Sequence, residues 1–132
     1  MIFSIISQMK IRLQGNSIRY RLKEPEVKAF NVNGRLTEII QFGNTHDKQL
    51  CFVLQRSSNT EVTVSYEAAT TIVYVPEQLA RQWTETTLVG FDAVVEIGNG
   101  KTLKILVEKD FACLDANEEE NAGSYPNPSQ QC

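Results

Sequence analysis

Five basic residues near the start of the chain could bind an anion, because they alternate with apolar residues along two strand-like segments. They are Lys10, Arg12, Arg19, Arg21 and Lys23. In "KIRLQGNSIRYRLK" this alternation predicts a hairpin with one apolar face and one basic face. The planar guanidinium of arginine binds phosphate or carboxylate through two N–H groups at once. The basic face could therefore hold a phosphorylated ligand, although polar outer faces are also common in sheets that bind nothing.

A second candidate site is the acidic stretch that follows the last strand-like segment. Carboxylate oxygens are the ligands that Mg²⁺ and Ca²⁺ prefer, and the carboxylates to consider first are those of Glu108, Asp110 and Asp115. These residues lack the fixed spacing of a calcium loop, and the segment "NEEENAGSYPNP" is rich in loop formers. A run of like charges such as Glu118–Glu120 usually stays solvated. We therefore predict no metal site.

Alternatively, the acidic stretch could dock on the basic hairpin face, with Tyr125 and Pro126 packed as an anchor. Single surface ion pairs contribute only about 0–1 kcal/mol, but several of them together with an aromatic anchor could dock a segment. The prolines of "YPNP" restrict the backbone and favour an ordered, extended stretch. Docking is therefore preferred to metal binding.

Three cysteines and one histidine are the remaining residues with reactive side chains. Cys113 and His46 could act as nucleophile and base if the fold brought their segments together. Packing is the commoner role of a free cysteine, and a histidine in a polar loop such as "GNTHDK" is usually a surface residue. Cys51, within "LCFVL", is expected in the core and Cys132 on the surface. We predict no catalytic residue and no zinc site.

The segments that would position these residues form two similar halves. Each half has two strand-like segments, a short helix that starts beside a proline, and two further strand-like segments. Aligning "SIRYRLKEPEVKAF" with "TTIVYVPEQLARQW" matches strand with strand and places Phe30 near Trp83. The chain is therefore predicted to be an α+β protein, mostly β. About eight antiparallel strands in a duplicated β-β-α-β-β order, with two short helices, would form a barrel-like sheet.

Length and composition fit one domain. The chain has 132 residues, of which 42% are hydrophobic and 22% charged, as in ordinary globular proteins. We predict an extra N-terminal segment at 1–8, a single β-rich domain at 9–112 with pseudo-repeats at about 9–56 and 60–110, and an acidic tail at 113–132. The cysteines are far apart in sequence, which suits a reducing compartment, so a cytoplasmic location is expected.

Charge is distributed unevenly along the chain. From Met1 to Arg35 there are seven Lys/Arg and two Glu, whereas from Lys109 to Cys132 there are one Lys and five Asp/Glu. The net charge of -3 argues against nucleic acid as a partner, because nucleic-acid binders usually carry a basic excess. No stretch approaches the roughly 20 apolar residues of a membrane helix, so no membrane partner is expected.

Both ends of the chain resemble those of a known family. "MKIRLQGNSIRYRL" at the start and "LKILVEKDFACL…YPNP" at the end resemble a family of small bacterial proteins classed only as a domain of unknown function. The resemblance runs from Met9 to Pro128 and implies neither an activity nor catalytic residues.

The doubled order also resembles, in topology alone, the triphosphate tunnel enzymes, whose eight-stranded barrel encloses a basic channel. The glutamate-rich motif of their first strand is absent, since Lys10 and Arg12 stand there.

Three functions are open at the level of the sequence. The preferred one is a non-enzymatic module that binds a small anion or phosphorylated ligand on the basic face and needs no cofactor. The second is a structural or protein-interaction domain, for example a homodimer, whose acidic tail docks on that face. The third and most remote is a divalent-metal-dependent triphosphate hydrolase in which Glu108 and Asp110 would assist the ion.

Overall fold

The computed structural model describes residues 9–111, 123, 125 and 126, and these form eight strands and two α-helices. The first half comprises β1 (Lys10–Gln14), β2 (Ser17–Leu22), α1 (Glu24–Asn33), β3 (Arg35–Gln41) and β4 (Gln49–Ser57). The second half comprises β5 (Thr63–Glu67), β6 (Thr70–Pro76), α2 (Glu77–Glu85), β7 (Gly90–Gly98) and β8 (Lys101–Lys109). A short 3-10 helix, His46–Lys48, lies between β3 and β4. The mostly-β class and the duplicated β-β-α-β-β order are confirmed.

The strands form two four-stranded sheets, and each sheet combines hairpins from both halves. The first sheet has the order β1-β2-β8-β7, and the second has the order β3-β4-β6-β5. Hairpin neighbours pair antiparallel, whereas the central pairs, β2 with β8 and β4 with β6, are parallel. Each helix connects a strand of one sheet with a strand of the other, so the halves exchange their second hairpins.

This exchange corrects two details of the expected sheet. Two of the strand pairings are parallel, and no closed barrel forms among the described residues. A barrel would require hydrogen bonds between the edge strands, which are β1 and β7 in one sheet and β3 and β5 in the other. Because α1 and α2 lead the chain across to the opposite sheet, the two apolar faces meet and bury each other instead.

Equivalent residues of the two halves occupy equivalent buried positions. Glu24 begins α1 and Glu77 begins α2, and the side chains of Phe30 and Trp83, six residues further along each helix, are both fully buried. The alignment drawn from the sequence is therefore a true structural equivalence. Three other equivalent buried pairs are Tyr20 and Val73, Leu22 and Val75, and Val27 and Ala80.

Local interactions define both ends of α1. The backbone N–H of Lys23 donates to Glu26 Oε1 at 2.8 Å, which satisfies one of the polar groups that a helix start leaves unpaired. Gly34 follows the helix with φ of 73°, a left-handed conformation that glycine adopts without strain. Its N–H donates to the carbonyl oxygen of Phe30 at 2.7 Å and so terminates the helix.

The core lies between the sheets and extends beneath the helices. Tyr20, from the first sheet, packs edge to face against Phe52 of the second, with ring centroids 6.4 Å apart. The Tyr20 hydroxyl donates to the carbonyl oxygen of Val53 at 3.2 Å, and burial raises the pKa of this phenol. Among the described residues, no helix is long and apolar enough to cross a membrane.

Candidate functional site

The outer face of the first sheet brings four of the five predicted basic residues together. Across the β1–β2 hairpin, Lys10 pairs with Arg21 and Arg12 pairs with Arg19. On the other side of β2, Arg21 lies next to Glu108 of the parallel strand β8. Alternate residues of a strand point to opposite faces, so these side chains share the surface that faces away from the core.

Two carboxylates at the end of β8 neutralise one part of this basic face. Arg19 donates from Nε and Nη2 to Glu108 Oε1, and the Nε–Oε1 distance is 2.6 Å. Arg21 Nε is 3.4 Å from Glu108 Oε1, and its Nη2 is 3.3 Å from Asp110 Oδ1. Lys10 Nζ is 2.8 Å from Asp110 Oδ2. The side chain of Asp110 is only 4% exposed, so these cations balance a carboxylate that would be costly to bury alone.

These ion pairs change the interpretation of the acidic residues. Glu108 and Asp110, considered from the sequence as possible ligands of a divalent ion, are engaged with arginine and lysine. No group of three His, Cys, Asp or Glu side chains that could hold a metal ion occurs in the described part of the chain. Asp115, the third candidate ligand, lies outside the described residues.

The other part of the basic face carries cations that have no carboxylate partner in the described part of the chain. Within residues 9–111, Arg12 and Lys104 form no ion pair, and the Arg12 guanidinium donates to Gln14 Oε1 at 3.0 Å. Lys104 pairs with Ser17 across the β2–β8 ladder. Together with Arg19, these residues line a cavity of about 180 Å³ on the outer surface. A small anion in this cavity would meet three positive side chains.

Lys104 was not among the basic residues predicted from the sequence, and Lys23 was. The alternation in "KTLKILVEK" places Lys104 on a polar strand face, but the parallel pairing of β8 with β2 is needed to bring it beside Arg19. Lys23 lies beyond the end of β2, at the start of α1. It does not line the cavity that Arg12, Arg19 and Lys104 form.

The described part of the C-terminal segment packs against the end of β8. Tyr125 forms a parallel bridge with Phe111, and the two rings lie with centroids 5.5 Å apart. Lys109 Nζ is 5.3 Å from the centre of the Tyr125 ring, and the Tyr125 N–H donates to the carbonyl oxygen of Asp110 at 2.8 Å. Burial, and secondarily the charge of Glu24, raise the pKa of Tyr125 to about 12. Tyr125 therefore packs on Phe111 and against the hydrophobic core, whereas Glu118–Glu120, the acidic residues expected to lie across the basic face, are outside the described residues.

Of the cysteine and histidine candidates, the described ones, His46 and Cys51, lie apart from this surface. His46 is exposed in the short helix between β3 and β4. Cys51 is only partly buried, on the outer face of the second sheet beside Ile39, so its expected place in the core is wrong. The run "LCFVL" reads as uniformly apolar, but successive residues of a strand face opposite sides. Cys113 and Cys132 lie outside the described residues.

A larger depression of about 1080 Å³ lies between the β4–β5 connection, α2 and β7. Its charged lining residues are of both signs, and Arg81 within it already lies 3.7 Å from Glu77. A surface of this kind favours no class of ligand. The small basic cavity is therefore the better candidate site, because its charges have one sign and converge.

Comparison with protein families agrees with the resemblance seen at the two ends of the chain. A model of DUF7009, described as a family of unknown function, matches residues 9–129. Comparisons with curated proteins and with solved structures gave no match. The matched range covers most of the chain and includes both end motifs. The chain therefore belongs to DUF7009, a family of unknown function.

Proposed function

We propose that the protein is a non-enzymatic module that binds a small oxyanion, such as the phosphoryl group of a phosphorylated ligand. The proposal depends on one observation above all. Arg12 and Lys104, which have no carboxylate partner among the described residues, converge with Arg19 on one cavity. Guanidinium and ammonium groups are the side chains that bind phosphate through charge-assisted hydrogen bonds.

The size of the cavity limits what it can hold. At about 180 Å³ it is smaller than the roughly 300–1,000 Å³ of pockets that enclose drug-sized ligands. It can accept one phosphoryl or sulfuryl group, while the rest of the ligand extends over the sheet. The proposed ligand is therefore recognised by its anionic group.

The ion pair between Arg19 and Glu108 helps to prepare the site. Glu108 accepts hydrogen bonds from Nε and Nη2 of Arg19, which leaves Nη1 and further N–H groups of the fork able to donate to an anion. The side chain of Arg19 is only 31% exposed, so its interactions are screened less than those of a free surface residue. A guanidinium held in place also loses less conformational entropy when the ligand binds.

Calorimetric titration of the intact protein with phosphate and pyrophosphate tests this proposal. Arg12→Ala and Lys104→Ala should each weaken binding by about three- to tenfold, the range expected for a partly exposed charge-assisted hydrogen bond. Binding should also weaken as salt concentration rises, because the cations are solvent-accessible.

Arg35 provides the matched control for Arg12. Both are exposed strand arginines that donate to a glutamine side chain, but Arg35 pairs with Gln55 on the second sheet. Arg35→Ala should leave the phosphate affinity unchanged. Equal effects of the two substitutions would indicate nonspecific attraction, and the absence of any phosphate binding would refute the proposal.

A structural or protein-interaction role is the second candidate, and the packing of Tyr125 on Phe111 and Lys109 favours it. In this case the C-terminal segment serves stability, so Tyr125→Ala should lower the melting temperature by several degrees. The phosphate affinity should stay the same if the anion site is independent of the anchor. An increase in affinity would instead show that the tail competes with the anion.

The triphosphate hydrolase has the least support. Such an enzyme needs carboxylates free to bind a divalent ion, whereas Glu108 and Asp110 are paired with cations. The same titrations with triphosphate and Mg²⁺, followed by detection of released phosphate, address it directly. Release above background that Glu108→Gln abolishes would favour the enzyme over the binding module.

A further inference from the structure

The outer face of the first sheet is divided by charge between its two edges. The cations of β1 and β2, at one edge, are Lys10, Arg12, Arg19 and Arg21. The strand at the opposite edge, β7, carries Asp92 and Glu96 on either side of the exposed Val94. If these carboxylates point outward, one sheet face presents both halves of a charge-complementary contact.

The register of β7 with β8 shows that both carboxylates do point outward. Asp92 pairs with Leu106, and Glu96 pairs with Thr102. Leu106 and Thr102 alternate along β8 with the residues that pack in the core, so they and their partners face away from it. Asp92 and Glu96 are accordingly exposed, on the same side of the sheet as Arg12.

Neither carboxylate has a cation partner among the described residues. Asp92 and Glu96 form no ion pair there, although Lys104 lies on the neighbouring strand. Arg12 has no carboxylate partner there either. The described part of the face therefore keeps unpaired charge of opposite sign at its two edges, and a partner of complementary charge could use both.

One row of residues across the sheet shows which partner fits. The registers place Arg12, Arg19, Leu106 and Asp92 side by side, on β1, β2, β8 and β7 in that order. A two-fold axis along the strands, between β2 and β8, would lay a second copy on this face with its strand order reversed. Arg12 of each copy would then face Asp92 of the other, and Arg19 would face Leu106.

The neighbouring row favours the same axis. Arg21 and Glu108 lie on β2 and β8, so the axis along the strands lays Arg21 of one copy on Glu108 of the other. A two-fold axis across the strands would instead lay β1 on β1 and β7 on β7, and like charges would meet. A contact of one surface with itself about a two-fold axis is also the commonest arrangement of soluble homo-oligomers.

The size of the face limits the strength of such a contact. Four strands about 4.8 Å apart, and nine residues of β8 at about 3.3 Å each, give a face of about 19 by 30 Å. Its projected area of about 570 Å² is below the roughly 800 Å² that each partner buries in a stable interface. The contact should therefore be weak and should depend on its charges.

We propose that the outer face of the first sheet binds a second copy of this chain, in a weak two-fold dimer that pairs Arg12 of each copy with Asp92 of the other. The dimer is independent of the proposed anion binding, because it requires β7, and no residue of β7 lines the anion cavity. Arg12 takes part in both, so phosphate should compete with the second copy.

Sedimentation velocity of the intact protein, from micromolar to millimolar concentration, measures the dimer. A monomer–dimer equilibrium is expected at low salt, and its dissociation constant should rise as salt screens the ion pairs. Arg12→Asp and Asp92→Arg should each raise this constant at least tenfold, because each reversal brings like charges together twice in the dimer. Both positions are exposed, so both variants should fold.

A mixture of the two variants gives the sharpest test. In a mixed dimer the two reversed charges face each other, and at the second contact an unchanged Arg12 faces an unchanged Asp92. The mixture should therefore form a one-to-one heterodimer about as tight as the wild-type dimer, although each variant alone stays monomeric.

The matched controls are Arg35→Asp and Glu67→Arg, which change the net charge in the same way at exposed positions of the second sheet. Each control alone should dimerise as the wild type does. A mixture of the two should associate no more tightly than either does alone.

Three outcomes would overturn the proposal. The first is an intact protein that stays monomeric at low salt; if Glu118→Gln with Glu119→Gln and Glu120→Gln then makes it dimerise, the acidic tail is the occupant of the basic face. The second is a dimer that neither reversal weakens. The third is a mixture of the two reversed variants that does not associate.

Phosphate titration of Asp92→Arg separates this inference from the proposed function. This variant keeps every described residue of the anion cavity, so it should bind phosphate even though it does not dimerise. A wild-type dimer in a protein that binds no phosphate would support the dimer and refute the anion site. Phosphate binding by a protein that never dimerises would do the reverse.

Discussion

Phe30 and Trp83 meet edge to face, with ring centroids 6.1 Å apart, at equivalent positions of α1 and α2. The contact therefore joins the two halves of the duplicated chain near their pseudo-two-fold axis. Trp83 also donates from Nε1 to the carbonyl oxygen of Val89 at 3.1 Å, and packs against Phe91 at 5.6 Å between centroids. The pair thus links both helices to the start of β7.

We expect Phe30→Ala to lower the free energy of unfolding by about 3–5 kcal/mol, because it leaves a cavity in a fully buried site. Chemical denaturation measures this loss, and Val32→Ala, at an exposed position of the same helix, should change stability by less than about 0.5 kcal/mol. A double-mutant cycle with Trp83→Leu should give a coupling of about 0.5–1.5 kcal/mol between the rings. Strict additivity would show that the edge-to-face contact contributes nothing beyond burial.

Sequence periodicity was sufficient to predict the secondary-structure elements and their duplication, because each segment carries its own hydrophobic pattern. Ile18, Tyr20 and Leu22 alternate with basic residues, and prolines mark the two helix starts. The pairing between hairpins had no such local signal. Whether β2 joins β8 or another strand depends on the path of the chain through α1 and α2, so the parallel pairs and the open sandwich could not be predicted.

The candidate site was predictable to the same extent. Arg12 and Arg19 face each other within one hairpin, so their proximity follows from strand alternation. Lys104 comes from a strand far along the chain, and its contribution needs the β2–β8 register. The same register places Glu108 beside Arg21, so this carboxylate, which was considered only as a possible metal ligand, is an ion-pair partner.

The turn between β5 and β6 is strained. Ala68 and Ala69 have φ of 50° and 59°, in the left-handed region that costs residues with a Cβ roughly 1–2 kcal/mol each. Two-residue hairpin turns of this kind favour Asn-Gly. Ala68→Asn with Ala69→Gly should therefore raise the free energy of unfolding by about 1 kcal/mol.

Thermal denaturation measures this gain as an increase of a few degrees in melting temperature. The control is Ala29→Gly in α1, where helical backbone favours alanine and the same change should destabilise by about 1 kcal/mol. A loss of stability in the turn variant would mean that the alanines are not strained.

The stability of the protein should depend on the ionisation of Glu38. Burial, and secondarily the charge of Glu26, raise the pKa of this carboxyl group, and its Oε2 is buried with no hydrogen-bond partner among the described residues. The folded state therefore binds the proton more tightly than the unfolded state. Its stabilisation is complete below the unfolded pKa and is lost as pH rises through the folded pKa.

Glu38→Gln should accordingly be more stable than the wild type at pH 7, and this difference should shrink as pH falls below the folded pKa. Melting temperatures measured from pH 4 to pH 8 test the prediction. Glu67→Gln, at an exposed position of β5, is the control and should show no such pH-dependent difference. A Glu38→Gln variant that is less stable at every pH would argue for a hydrogen-bonded, ionised carboxylate.

Arg21 and Arg12 should differ in their effect on stability, although both belong to the basic face. Arg21 lies between Glu108 and Asp110, and Asp110 is nearly inaccessible to solvent. Arg21→Ala leaves Lys10 as the remaining described partner of that carboxylate, so the free energy of unfolding should fall by about 1–3 kcal/mol. Arg12→Ala removes no ion pair of the described residues and should cost less than about 0.5 kcal/mol.

Urea denaturation and phosphate titration, both carried out on the two variants, separate the role in stability from the role in anion binding. The expected pattern is a destabilised Arg21→Ala variant that still binds phosphate under native conditions, and a stable Arg12→Ala variant that binds it weakly. The reverse pattern would place the anion at the acidic end of the face, in competition with Asp110. An anion at the acidic end would have to displace two carboxylates from their cations. The anion is therefore expected to bind at the other end of the face, where Arg12 and Lys104 lie.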